Sequence, residues 1–151
     1  MKLSLSVLAT ALFSGALAAP SKDPRHDIQT AHFIFHGVES GSYHLTVKAD
    51  GNVTKIYNEL PINTIEINDY DANSQCVFKG LDGTKIESKL HIDTETGDQS
   101  LILPEGTPIA SVSCQGFCVY NYAACYSNGQ MVGPCCNGLC AANLCRPWNG
   151  V

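Results

Sequence analysis

The sequence predicts an all-β protein: a small antiparallel β-sandwich over residues 31–114, then a disulfide-stapled module over residues 115–151. Three observations carry this. Between residues 31 and 114 apolar side chains alternate in short runs broken by Gly, Pro, Asn and Asp, which is the strand signature. Nothing in that stretch keeps the period of a long amphipathic helix. After Cys114, six cysteines crowd between Cys118 and Cys145, a density typical of small secreted scaffolds held by disulfides.

The chain opens on Met1-Lys2 and an apolar run from Leu3 to Leu17, with Ala16-Leu17-Ala18 as the small-x-small pattern of a signal peptidase site. The run is too short to span a membrane, and no second apolar stretch of about 18 residues follows it. Residues 1–18 are therefore expected to be a secretory signal. Residues 19–30, polar and with two prolines, are expected to form a flexible leader.

The strands follow in order. Residues 32–36 and 42–48 form a first hairpin around Gly37 to Gly41, with Phe33 and Phe35 facing the core beside Tyr43, Leu45 and Val47. Asp50-Gly51-Asn52 turns the chain into residues 53–57. Strands at 62–67 and 75–79 come next, and Leu81-Asp82-Gly83 turns into 84–93. There Ile86, Leu90 and Ile92 are expected inward, with Lys85, Glu87, Lys89 and His91 outward. Thr96-Gly97-Asp98 leads into 100–103, and 108–114 closes the set. Eight short strands separated by turn residues fit a sandwich.

Charge narrows the partners. Without residues 1–18 the chain has 8 basic and 14 acidic residues, a net charge of −6, and all the acids lie between Asp23 and Glu105. From Gly106 to Val151 the only charged side chain is Arg146. A net-acidic chain with no basic stripe is a poor match for nucleic acid or an anionic membrane. The C-terminal module has no basic face for blocking a cation channel, and no exposed basic loop for trypsin-type inhibition. What it offers is Phe117, Tyr120, Tyr122, Tyr126, Met131, Leu139, Leu144 and Trp148. A module this small cannot bury all of these. Some must dock on the sandwich and some must be exposed, and uncharged aromatic surface is the material of protein-binding and sugar-binding patches. Tyr120, Tyr122, Tyr126 and Trp148 are the partner-binding candidates, in a chain expected to be a monomer.

Other motifs weigh less. His32, His36 and His44 would share the outer face of the first hairpin with Ile34, a set that could bind a transition metal. With no carboxylate expected beside them they read as solvated histidines. Asp69-x-Asp71-x-Asn73 resembles the opening of a calcium loop, but Ser74 and Gly80 stand where the turn glycine and the bidentate glutamate belong, so it reads as an acidic turn. Asn52-Val53-Thr54 is a glycosylation sequon in a turn, with Asn52 the acceptor. No nucleophile sits in a recognisable setting: there is no Gly-x-Ser-x-Gly and no His-Glu-x-x-His. The sequence is read as that of a non-enzyme needing no metal or cofactor.

The cysteines remain. Their spacing is Cys118-x6-Cys125-x9-Cys135-Cys136-x3-Cys140-x4-Cys145. The adjacent pair Cys135 and Cys136 cannot comfortably bridge each other, which still leaves many connectivities among six cysteines. A zinc site is the other use of such a cluster, and a secreted, oxidising setting argues against it. The spacing resembles that of the inhibitor cystine knots, including the O-superfamily conotoxins with their glycine before the fifth cysteine, here Gly138. That resemblance implies a knottin-like module with Cys118–Cys136, Cys125–Cys140 and Cys135–Cys145, which leaves Cys76 and Cys114 to each other. It implies no function, because knottins serve as toxins, inhibitors, effectors and sugar binders alike.

The layout as a whole, a signal ending Ala-Leu-Ala-Ala-Pro, a β-rich half ending Ser-Val-Ser-Cys and a cysteine-rich end, resembles the fungal small secreted cysteine-rich proteins. Among these it is similar to the necrosis-inducing secreted effectors of plant-pathogenic ascomycetes. That resemblance implies action in a plant host, by cell death or by damping immunity through receptor-associated kinases. The other classes weighed are a binder of chitin or wall glycans and a knottin-type protease inhibitor.

Overall fold

The computed structural model describes residues 27–150; the signal and all but the end of the leader lie outside the described residues. Eight strands follow in order: β1 (Thr30–Gly37), β2 (Ser42–Lys48), β3 (Asp50–Lys55), β4 (Ile62–Glu66), β5 (Cys76–Gly80), β6 (Lys89–Ile92), β7 (Gln99–Thr107) and β8 (Ile109–Gln115). A single helical turn, α1 (Ala72–Gln75), links β4 to β5. Every pairing among these strands is antiparallel. They form one sheet ordered β2-β1-β4-β7-β6 and a second ordered β3-β8-β5.

Alternation puts the apolar rows of the two sheets face to face. Phe33, Phe35 and Val47 from the larger sheet's hairpin, with Ile65 and Leu101, meet Phe78, Ile109 and Val112 from the smaller one, and all are buried. Phe35 stacks on Tyr43 with ring centroids 4.7 Å apart, and Phe78 meets Phe33 edge-on at 5.7 Å. Each such side chain contributes about 1.5–3 kcal/mol by leaving water. Cys76 and Cys114 are direct partners across β5 and β8, and their disulfide joins residues 38 apart in sequence.

Two expectations for the sandwich need correction. Residues 84–88 are not strand: Lys85 makes one isolated bridge to Lys79, and β6 begins only at Lys89. Leu90 does sit on the core side, opposite Leu101, yet stays 39% exposed because β6 is the sheet's outermost strand. The leader also ends earlier than expected. Gln29 is buried and Thr30 already belongs to β1.

The C-terminal module is built from two small hairpins, β9 (Tyr126–Ser127) with β10 (Gln130–Met131) and β11 (Leu139–Ala141) with β12 (Leu144–Arg146), closed by a 3-10 turn at Trp148–Gly150. Asn128 and Gly129, with φ of 52° and 75°, make the first hairpin's tight turn, the left-handed pair that suits strand twist. The bridges are Cys118–Cys136, Cys125–Cys140 and Cys135–Cys145, and no described cysteine is free. Gly138 (φ 127°) has no substitute, since a Cβ there would fall 1.9 Å from the carbonyl oxygen of Arg146.

The module's own buried cluster is small: Val119, Cys125 and Cys145. Its other buried cysteines, Cys118 and Cys136, belong to the core of the sandwich. Two buried glutamines clasp the module's backbone from the sandwich side. The Gln29 side chain donates to the Cys118 carbonyl at 2.9 Å and accepts from its N–H at 2.8 Å. The Gln99 amide donates to the Cys136 carbonyl at 2.7 Å and to that of Tyr70 at 3.2 Å. Among the described residues no helix is long and apolar enough to cross a membrane.

Candidate functional site

The knot holds its tyrosines outward by geometry as much as by polarity. The Val119 N–H donates to the Pro134 carbonyl at 2.7 Å, and the Val119 carbonyl accepts from Cys136 at 2.9 Å. Val119 is thereby turned inward and its neighbour Tyr120 outward. Tyr122 follows in a left-handed conformation (φ 67°), its N–H donating to the Cys145 carbonyl at 2.7 Å. A side chain pays roughly 1–3 kcal/mol for such a backbone. Tyr126 pairs with Met131 across the β9–β10 hairpin, so the two share one face. Tyr120, Tyr122, Tyr126 and Met131 are 55%, 66%, 41% and 57% exposed. No acidic residue and no lysine lies in this part of the chain, and Arg146 is its one base.

Trp148, expected among the exposed aromatics, is not. It is half-buried against the sandwich, with its indole N–H donating to Gln99 Oε1 at 3.4 Å, while Asn149 donates to the Thr96 carbonyl at 2.8 Å. The C-terminal turn packs on the sandwich, which leaves Trp148 less open to a partner than the three tyrosines.

A groove of about 660 Å³ runs along the junction of the two parts. Asp27, Ile28, Gln29, Thr30, His32 and Asp69 form its sandwich wall; Phe117, Val119, Tyr120, Ala123, Ala124 and Val132 form its knot wall. It is apolar on the knot side and carries carboxylates on the other.

The histidines occupy the outer face of the larger sheet, as the strand registers show. His44, Ile34, Glu66, Ser100 and His91 form one cross-strand row, and Ser42, His36, Thr64, Ile102 and Lys89 the next. The expectation that no carboxylate lies near is overturned. His32 Nδ1 is 2.5 Å from Asp69 Oδ2, and His36 Nε2 is 3.3 Å from Glu66 Oε2. β4 supplies Glu66 by running beside β1, and the turn that follows it supplies Asp69, neighbours that strand order alone reveals. Among the described residues, the one group of three metal-ligand atoms close together is Cys125, Cys135 and Cys145, whose sulfurs are spent in disulfides.

The acidic turn at residues 69–74 spends its carboxylates locally: Asp69 on His32, and Asp71 as acceptor from the Ser74 hydroxyl. Asn52 is exposed beside Gly51 (φ 82°) at a bulge of β3, its amide donating to Asp50 Oδ2 at 3.0 Å. Gln29 and Gln99 carry no motif in the sequence, although their positions hold a signal. Each extends the inward alternation of its strand, Gln29 ahead of Ala31, Phe33 and Phe35, and Gln99 ahead of Leu101 and Leu103.

Comparison with protein-family models, curated proteins and solved structures finds no match for this chain.

Proposed function

We propose that this is a secreted, non-enzymatic binding protein, an effector that engages a host plant protein through the tyrosine-bearing surface of its knot. One observation carries the reading: Tyr120, Tyr122, Tyr126 and Met131 stand exposed on a disulfide-locked, nearly charge-free surface. Aromatic side chains held rigidly contribute disproportionately to interfaces, because little conformational entropy is lost when they are covered. Four disulfides are consistent with an extracellular protein. The expected secretory signal, a glycan on Asn52 and a monomeric state complete this reading.

The resemblance to necrosis-inducing effectors points to receptor-associated kinases as partners. Their kinase domains are cytosolic, so binding there requires translocation and disulfides that outlast glutathione, as bridges below about −300 mV do. An apoplastic receptor ectodomain makes no such demand. The exposed tyrosines also favour a second reading, stacking on chitin or wall glycans.

The test is a triple variant, Tyr120→Ala, Tyr122→Ala and Tyr126→Ala, compared with the parent by leaf infiltration and partner capture. Loss of both responses with unchanged circular dichroism and disulfide map supports the reading; full activity shows that the knot only staples the fold. Retention of the parent protein on insoluble chitin or cellulose would favour the sugar reading.

A further inference from the structure

β1 is longer than its partner on one side. Its ladder to β2 runs from Thr30 opposite Lys48 to His36 opposite Ser42, but its ladder to β4 starts only at Ile34 opposite Glu66. The bonds from Ala49 N–H to the Gln29 carbonyl and from Gly37 N–H to the Gly41 carbonyl place the hydrogen-bonded pairs with β2 at odd-numbered β1 residues. Such pairs alternate along an antiparallel ladder, so the N–H and C=O groups of Thr30 and His32 point away from β2. The His32 N–H is met by Asp69 Oδ1 at 3.2 Å, in that direction. Thr30 lines the junction groove, beyond the reach of the β4 ladder. An open strand edge is a template for another strand.

The groove beside that edge has a definite chemistry. Phe117 and Val132 offer apolar surface beside the nearly buried Val119, and among the described residues that line it Asp27 and Asp69 are the charged ones apart from His32, with no lysine or arginine. Asp69 is committed to His32, whereas Asp27 is exposed.

We propose that this groove takes an extended peptide segment of a partner protein as an added strand beside the start of β1, an apolar side chain packing on Phe117 and Val132 and a Lys or Arg meeting Asp27. This rests on the reading of the protein as a protein binder. Main-chain bonds to the edge give affinity, and the groove selects the side chains. With the His32 N–H taken by Asp69, the edge from Ile28 to Thr30 is about 10 Å long at about 3.4 Å per residue, so it contacts a short linear segment.

The test uses the oxidised chain from residue 19 onward and two fluorescent octapeptides of alternating Val and Thr, one with a central Arg and the other with Glu in its place. The Arg peptide is expected to bind saturably and to shift the amide resonances of Ile28 and Thr30 and the methyls of Val119 and Val132. Thr30→Pro removes an N–H that no β2 bond uses, a position where an edge strand tolerates proline. It should weaken binding about tenfold with the fold unchanged. Asp27→Asn should weaken only the Arg peptide, by about two- to fivefold. No saturation, equal binding of both peptides, or full binding by Thr30→Pro overturns the proposal. So does binding seen only after residues 19–26 are deleted, because Lys22 and Arg25 would mark the leader as the occupant. Should the tyrosine variant lose its partner while the peptides never bind, the groove fails and the functional reading stands.

Discussion

The sandwich and the knot reach stability by different means. The sandwich buries two facing apolar rows, and its turns are tied by carboxylates such as Asp50, Asp82 and Asp93 accepting from nearby N–H groups. The knot buries little beyond Val119 and its sulfurs, carries almost no charge, and holds its loops covalently. Sandwich side chains are therefore spent on the interior, while the knot can leave tyrosines in water. Yet the two share a seam, where Cys118 and Cys136 complete the sandwich core and Gln29 and Gln99 hold the knot's backbone.

The largest test separates covalent from packing stability. Replacing both Cys76 and Cys114 by alanine opens a closure of 38 residues and should cost the sandwich about 4 kcal/mol on the chain-entropy model. Urea unfolding should show that loss while peptide mapping still finds the three knot bridges. Scrambled knot bridges would show that the knot needs the sandwich in order to pair.

The seam comes next. Gln29→Ala leaves the buried N–H and carbonyl of Cys118 without their partner, and a cost of about 2 kcal/mol or more is expected. Hydrogen exchange should then show knot amides opening before those of the sandwich. Uniform loss of protection would mean that the two parts stay coupled without the clasp.

A smaller effect of opposite sign lies in the knot. Tyr122→Gly removes a side chain from a left-handed position and should raise stability by about 1 kcal/mol in thermal melts, while partner capture weakens. A variant no more stable than the parent would place no strain at Tyr122.

The last contrast is pH. Hydrogen bonds from turn groups hold the carboxyls of Asp50, Asp82 and Asp93 below the usual range: chiefly the Asn52 N–H for Asp50, the Thr84 hydroxyl for Asp82, and the Glu95 and Thr96 N–H groups for Asp93. Their contribution is present above the unfolded carboxylate value of about 4 and is lost as pH falls through their lowered values. Burial raises Tyr43 and Tyr70 to about 12, so their contribution is complete below the unfolded value of about 10 and is lost as pH rises toward 12. Stability should thus decline at both extremes through the sandwich. An Asp93→Asn variant that keeps the full acid slope would remove Asp93 from the account.

Much of this was legible in the chain. Alternation at Phe33, Phe35, Ile65 and Leu101 marks the core, because a strand's side chains change face at every residue. Gly138 stands where the knottin-like spacing has its glycine, and its φ of 127° suits one. Trp148 was not legible, since an aromatic after the last cysteine can cover a neighbour or face water, and only the docked turn decides. Gln29 is not legible either, because it lies in a polar, proline-bearing stretch that reads as leader, and only its burial places it in the inward row of β1.

By itself the sequence determined local geometry and the pattern of burial: strand period, turns, the charge-free C-terminal stretch, and cysteine spacing fit for a knot. These follow from chemistry within a few residues. Only the tertiary structure decided which strands lie side by side. That order brings Asp69 to His32 and Glu66 to His36, sets Gln99 against the Cys136 carbonyl, and ends the β4 ladder at Ile34, short of Thr30. Such neighbours are residues 30 or more apart in the chain, and their meeting depends on packing the whole core rather than on any local preference.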